Sequence, residues 1–320
     1  MRAAYRRLLL MLLTLPLSSA FAATESTVEA PGPQGPLAGT FLDVGAHKPV
    51  VLLIPGSGAT DRNGDTVTAL KPGTLRLLAE GLAARGVSSV RIDKRGMFGS
   101  AHAIPDANQI TIHDYVTDVQ NWITVIQHRT GAPCIWIAGH SEGATVALAS
   151  ASSVRPLCGL ILISSPGRPF GELLRSQLHA APGVQTLLPQ VDRAIDALET
   201  GKTVDPQTLH PGLRHIFHPS VQSYLIDIMR YDPAKLAAAY QGPILLVQGG
   251  RDIQVSPEED FGRLKAAAPK ADVLFLPEAS HVMKDVPGTE RADALRAYTD
   301  SAIPLDAKFV PRVAEFVLSH

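Results

Sequence analysis

Apolar positions along the chain fall into two kinds of block. Short runs are apolar nearly throughout: VVLLI (50–54), SSVRID (88–93), CIWIAG (134–139), CGLILISS (158–165), PILLVQGG (243–250) and ADVLFLP (271–277). Runs of this kind suit strands buried on both faces, as in a parallel sheet. Between them apolar residues recur at helical spacing over 73–85, stopping at Gly86, and over 111–129, closing at Gly131. Residues 141–152 and 306–320 read as two more helices. Strand and helix alternate, which predicts an α/β fold: a doubly wound, mostly parallel sheet with right-handed crossovers.

One segment breaks this rhythm. Roughly 75 residues separate the run ending near Ser165 from the run starting near Pro243, and a structureless loop of that length is improbable in a compact domain. Helical patterns over 184–200 and 221–229, broken by Pro182, Pro206, Pro211 and Pro219, predict a helical insertion. The expected organisation is a leader at 23–39, a core at 40–166 and 242–320, and the insertion at 167–241. The leader reads as flexible because it is rich in Pro and Gly.

The first 22 residues stand apart. Arg2, Arg6 and Arg7 precede an apolar run, LLLMLLTLPL (8–17), and the small residues SSAFAA follow. This is the layout of a secretory signal peptide cut after Ala22, and it predicts a periplasmic or secreted protein. The run is short for a bilayer span, so no membrane span is expected after signal removal. Losing three arginines takes the formal charge from −1 to −4. Neither value suggests a nucleic-acid partner. The content of 45 % hydrophobic and 18 % charged residues fits one large globular domain, or a core with an insertion.

Candidate chemistry begins where CIWIAG ends. In GHSEG (139–143) a serine sits between two glycines at the passage from a buried strand to a helix. Such a nucleophile elbow strains the serine backbone and needs neighbours without side chains. It aims the Ser141 hydroxyl above the sheet and the helix N-terminus at the site, where an oxyanion is favoured. A neutral serine needs a base and an acid, in the order serine, acid, histidine for this topology. His281, in PEASHVM, stands directly after the last predicted strand, and Asp252, in VQGGRDIQV, follows the strand before it. Asp285 is the competing acid. The turn's alternation predicts that His140 points away. The oxyanion donors are expected to be the backbone N–H groups of Ser57, in PGSGATDRNG after VVLLI, and of Glu142. Asp61, Arg62 and Asn63 read either as pocket lining or as a scaffold ion pair. Asp93, Lys94 and Arg95 read as a structural turn. His210, His215 and His218 have no regular ligand spacing, so no metal site is expected there.

Taken together, GHSEG, GGRDIQV and SHVM resemble the α/β-hydrolase superfamily. PGSGATDRNG with RIDKRGMFGS resembles a bacterial branch of esterase-like serine hydrolases near the serine aminopeptidase and monoglyceride lipase group. The resemblance covers about 50–168 and 243–318. Pro55-Gly56 stands where many members carry His-Gly. The resemblance implies a helical cap at 167–241 and no metal or organic cofactor, and the leading reading is a serine hydrolase of a small to medium carboxylic ester. An amide or peptide hydrolase, or an acyltransferase, uses the same acyl-enzyme. A binding protein that kept the fold without catalysis is a reading of another class. The two cysteines, Cys134 and Cys158, each open a predicted strand at the edge opposite Ser141. Two readings stand: a disulfide, if the strands are adjacent and in register, or two separate buried thiols.

Overall fold

The computed structural model describes residues 23–68, 70–288 and 290–320. The expected signal peptide, residues 1–22, lies outside them. Among the described residues, eight strands form one sheet: β1 (Thr24–Ala30), β2 (Leu37–Asp43), β3 (Val50–Ile54), β4 (Ser88–Ile92), β5 (Ile135–His140), β6 (Leu157–Ile163), β7 (Ile244–Gly249) and β8 (Asp272–Leu276), in the order β1-β2-β4-β3-β5-β6-β7-β8. From β4 to β8 neighbouring strands run parallel, while β2 is antiparallel to β1 and β4. The helices are α1 (Thr74–Ala83), α2 (Ile112–Thr130), α3 (Glu142–Ser150), α4 (Phe170–His179), α5 (Leu188–Glu199), α6 (Pro219–Ile228), α7 (Pro233–Ala239), α8 (Gly262–Ala267), α9 (Arg291–Thr299) and α10 (Phe309–Ser319).

The apolar runs do what their pattern predicts. Val50, Leu52 and Ile54 of β3 join a core shared with α2 and α3, whereas Val51 and Leu53 join one shared with α1 and α10. Side chains of a strand alternate between faces, so a strand covered on both sides is apolar at every position. The edge strand β8 is covered less well: Val273 and Phe275 are exposed.

The leader at 23–39 is corrected by the structure. Thr24–Ala30 and Leu37–Asp43 pair as an antiparallel hairpin, register Thr24↔Asp43 to Ala30↔Leu37, and β2 pairs on to β4. Pro and Gly crowd only the connection, PGPQGP, while Val28, Ala30, Leu37 and Phe41 are buried. The core therefore starts at β1 rather than at residue 40. The helical insertion is present as α4 to α7, between β6 and β7, with a small core of its own that includes Val191, Ile195, Leu198 and Phe217. Its entry is clamped to the loop after β7. Asp260, fully buried, accepts the backbone N–H groups of Gly167, Arg168 and Ser256 and pairs with the Arg168 guanidinium.

Cys134 and Cys158 form a disulfide, with Cα atoms 5.2 Å apart, 24 residues apart in sequence. It ties the starts of β5 and β6 at the edge of the sheet away from Ser141. Closing a loop of this length stabilises a fold by roughly 3 kcal/mol in the chain-entropy model. The unfolded, unreduced protein should show no free thiol in a thiol count. Reduction should lower the unfolding free energy by about that amount and leave activity intact. Two free thiols before reduction would refute the bridge.

Candidate active site

Ser141 lies between the end of β5 and the start of α3, with φ 55° and ψ −121°. A positive φ in a residue with a side chain is strained and persists only where its surroundings enforce it. Here the glycines allow it. A Cβ on Gly139 would collide with the Gly143 carbonyl, and one on Gly143 would collide with the Ile54 carbonyl. The turn is thus too tight for any other residue at either position.

Asp252 follows β7 and His281 follows β8. His281 Nδ1 is 2.8 Å from Asp252 Oδ2, and both side chains are buried. Asp252 also accepts the backbone N–H groups of Gln254 and Val255 and the Gln248 amide. Burial alone would raise its pKa, but the His281 charge and these bonds hold it below the ordinary carboxylate value. It therefore stays ionised beside the imidazole. Asp285 instead faces Asp306 and Glu278, and burial and those charges raise its pKa. With Nδ1 engaged, Nε2 of His281 is left for a partner in the cleft.

Two clefts meet at Ser141. One is lined by Thr145, Arg168 and residues of the insertion such as Phe170, Leu173, Ile228 and Tyr231. The other is lined by Thr60, Thr66, Pro72, His281 and Tyr298. Ser57, Ser141 and Gln254 belong to both, and Glu142 lines the first. Glu142 opens α3, so its N–H lacks a helical acceptor, as the first N–H groups of any helix do. The structure thus brings all five predicted site residues to one place.

Asp61, Arg62 and Asn63 take the scaffold alternative. Arg62 pairs with Asp93, the Asn63 side chain accepts from Arg91, and Asp61 accepts the Asn63 and Asp65 N–H groups. His210 and His218 serve as caps, accepting the N–H groups of Gly212 and Ser220.

Sequence reasoning missed three contributors. His140 does not point away. Its Nε2 donates to the His281 carbonyl at 2.9 Å, and the two rings lie 4.7 Å apart. Ser164, itself at φ 45°, donates to the same carbonyl at 3.0 Å. Gln254 joins Asp252 to the shared floor of the clefts and bonds the Tyr298 hydroxyl at 2.6 Å. Only His140 carried a sequence signal, its place next to Ser141.

Burial, then the neighbouring His281, pushes the pKa of His140 down to about 4, with Asp252 and the bond to the His281 carbonyl opposing. The depressed value gives stability that is complete above the unfolded pKa near 6.5 and is lost as pH falls toward 4. In that window the unfolded chain binds a proton that the fold refuses. The loss is on the order of 3 kcal/mol. Urea unfolding should show the wild type losing more stability than His140→Asn between pH 7 and pH 4.5. A constant difference between the two would contradict it.

The strand order and the elbow at the end of a central strand define an α/β hydrolase. The sequence profile of the alpha/beta hydrolase family matches residues 51–297, and the chain belongs to that family. Over 242 residues it is 26 % identical to Esterase EstD of Thermotoga maritima. That match covers 73 % of this chain and 54 % of EstD, so the chain spans about half the length of that relative. Its fold is also that of the Pyrococcus furiosus esterase Pf2001, with a TM-score of 0.59 at 18 % identity over 93 % of this chain and 91 % of that one. A thermophilic esterase from Thermogutta terrifontis has a TM-score of 0.57 at 20 % identity, covering 92 % and 98 % of the two chains.

Proposed function

We propose that the protein is a serine-dependent hydrolase of small to medium carboxylic esters, working through an acyl-enzyme on Ser141. The observation that carries this reading is the 2.8 Å Asp252–His281 pair, delivered to the cleft in which an elbow serine is held at φ 55°. His281 Nε2 takes the Ser141 proton as Oγ attacks the ester carbonyl, and the Ser57 and Glu142 N–H groups receive the oxyanion. Collapse of the tetrahedral intermediate passes the proton from His281 to the leaving alcohol. Water then repeats the sequence to release the acid. Each step uses the chain's own groups, so the reading calls for no metal or organic cofactor.

The partition of the site orients the ester. The departing alcohol must meet His281, which places it in the cleft of Thr60 and Thr66. The acyl chain then lies under the insertion, against Phe170, Leu173 and Ile228. The naming of EstD as an esterase supports the ester reading. Export to the periplasm or medium is part of the proposal. It is supported by the layout of residues 1–22 and by a disulfide of the sort that persists in oxidising compartments.

The test is turnover of p-nitrophenyl esters of increasing acyl length, with thioesters and aminoacyl amides alongside. Short and medium esters should turn over best. Preference for amides, or transfer to an alcohol in place of hydrolysis, would overturn the ester-hydrolase reading.

A further inference from the structure

The DKR turn after β4 holds one residue that a structural turn does not explain. Asp93 binds Arg62, and Arg95 binds Asp118 and Asp114, and both pairs fasten scaffold to scaffold. Lys94 points elsewhere. Its Nζ donates to the Gly56 carbonyl at 2.7 Å and to Glu142 Oε1 at 2.7 Å, with side-chain exposures of 2 % and 4 % for Lys94 and Glu142. The Tyr115 ring covers the ammonium, its centroid 5.5 Å from Nζ.

We infer that Lys94 is a positioning residue for the oxyanion hole: one buried ammonium sets both donor groups and polarises the Ser57 N–H through the Gly56 carbonyl. This inference rests on the reading of Ser141, Ser57 and Glu142 given above. The Gly56 carbonyl and the Ser57 N–H belong to one planar peptide unit and point to opposite sides of it. Holding the oxygen on Nζ therefore fixes the direction of the N–H. A cation on that oxygen also draws electron density from the amide and strengthens its N–H as a donor. The same ammonium holds the side chain of Glu142, whose own N–H is the second donor. The spacing between the two donors is thereby tied to one atom.

Charge gives a second reason. Glu142 lines the acyl cleft, and an uncompensated carboxylate there would oppose the negative charge that develops on the substrate oxygen. Stability alone does not call for this arrangement, since a well-packed apolar pair often serves a fold as well as a buried ion pair.

The experiment compares Lys94→Met, Lys94→Arg and the double variant Lys94→Met/Glu142→Gln, with Arg95→Met as the control that breaks the neighbouring buried pair. Steady-state ester kinetics, thermal melting and the affinity of a trifluoromethyl ketone are measured for each. Lys94→Met should lose about 10²- to 10³-fold in kcat, the scale of one oxyanion donor, with KM changed less than about threefold. Ketone affinity should fall in parallel, because the ketone's oxyanion occupies the same position. Lys94→Arg should recover part of the loss. Arg95→Met should melt lower yet keep its kcat. The double variant buries no unpaired charge, which guards against a Lys94→Met that does not fold. It should remain slow, because Gly56 is still unheld. A wild-type kcat in either Lys94→Met background, or a change confined to KM, would overturn the inference. Failure of the underlying reading looks different: a fluorophosphonate would then not label the wild type, or would label Ser141→Ala equally.

Discussion

Replacing Ser141 by alanine should reduce ester turnover by about 10⁴- to 10⁶-fold and abolish fluorophosphonate labelling, with the fold intact. The size follows from what is removed. Without Oγ no acyl-enzyme forms, and only binding and the oxyanion donors remain to act on a water-mediated reaction. Stability should not suffer. Ser141 is strained at φ 55°, and its side chain ends in the cleft rather than in the core. Alanine fits the same backbone with one atom fewer. Rapid-mixing kinetics and intact mass after labelling check the result. A burst of product, or a mass shift, retained in Ser141→Ala would place the nucleophile elsewhere.

Asp252→Asn should be the next largest, at about 10⁴-fold in kcat. The carboxylate accepts a hydrogen bond from His281 Nδ1–H, and that bond keeps Nε2 free to take the serine proton. An amide nitrogen facing Nδ1 favours the opposite tautomer, with the base end already protonated. The carboxylate also stabilises the imidazolium that forms during attack. Asp285→Asn should change kcat by only a few-fold, since its carboxyl faces Asp306 and not the imidazole. Measuring both variants on one ester decides between them, and the reverse ranking would assign the acid to Asp285.

Much of the frame was legible in the sequence because it rests on local physics. VVLLI, CIWIAG and PILLVQGG are strands because chain segments buried on both faces must be apolar at each position. GHSEG is an elbow because the turn leaves no room for a Cβ on Gly139 or Gly143. The candidates Ser141, Asp252 and His281 could be picked in that order because each sits just past the end of an apolar strand. The β1–β2 hairpin was hidden for a complementary reason. Its two strands mix polar with apolar positions, and only the pairing of β2 with β4, far along the chain, makes them part of the sheet.

What tertiary structure alone decided were matters of register and approach between distant segments. Asp252 and Asp285 are both near His281 in sequence terms, yet only the loop after β7 brings a carboxylate to Nδ1. The pairing of Cys134 with Cys158 required β5 and β6 to be neighbours with their starts level, which no periodicity reports. His140 meets the His281 carbonyl across 141 residues, and Lys94 meets Gly56 and Glu142 across 38 and 48. A sequence pattern records which face a residue turns to the core. It does not record which distant polar group that burial obliges it to satisfy, because the partner is set by how whole strands and helices pack.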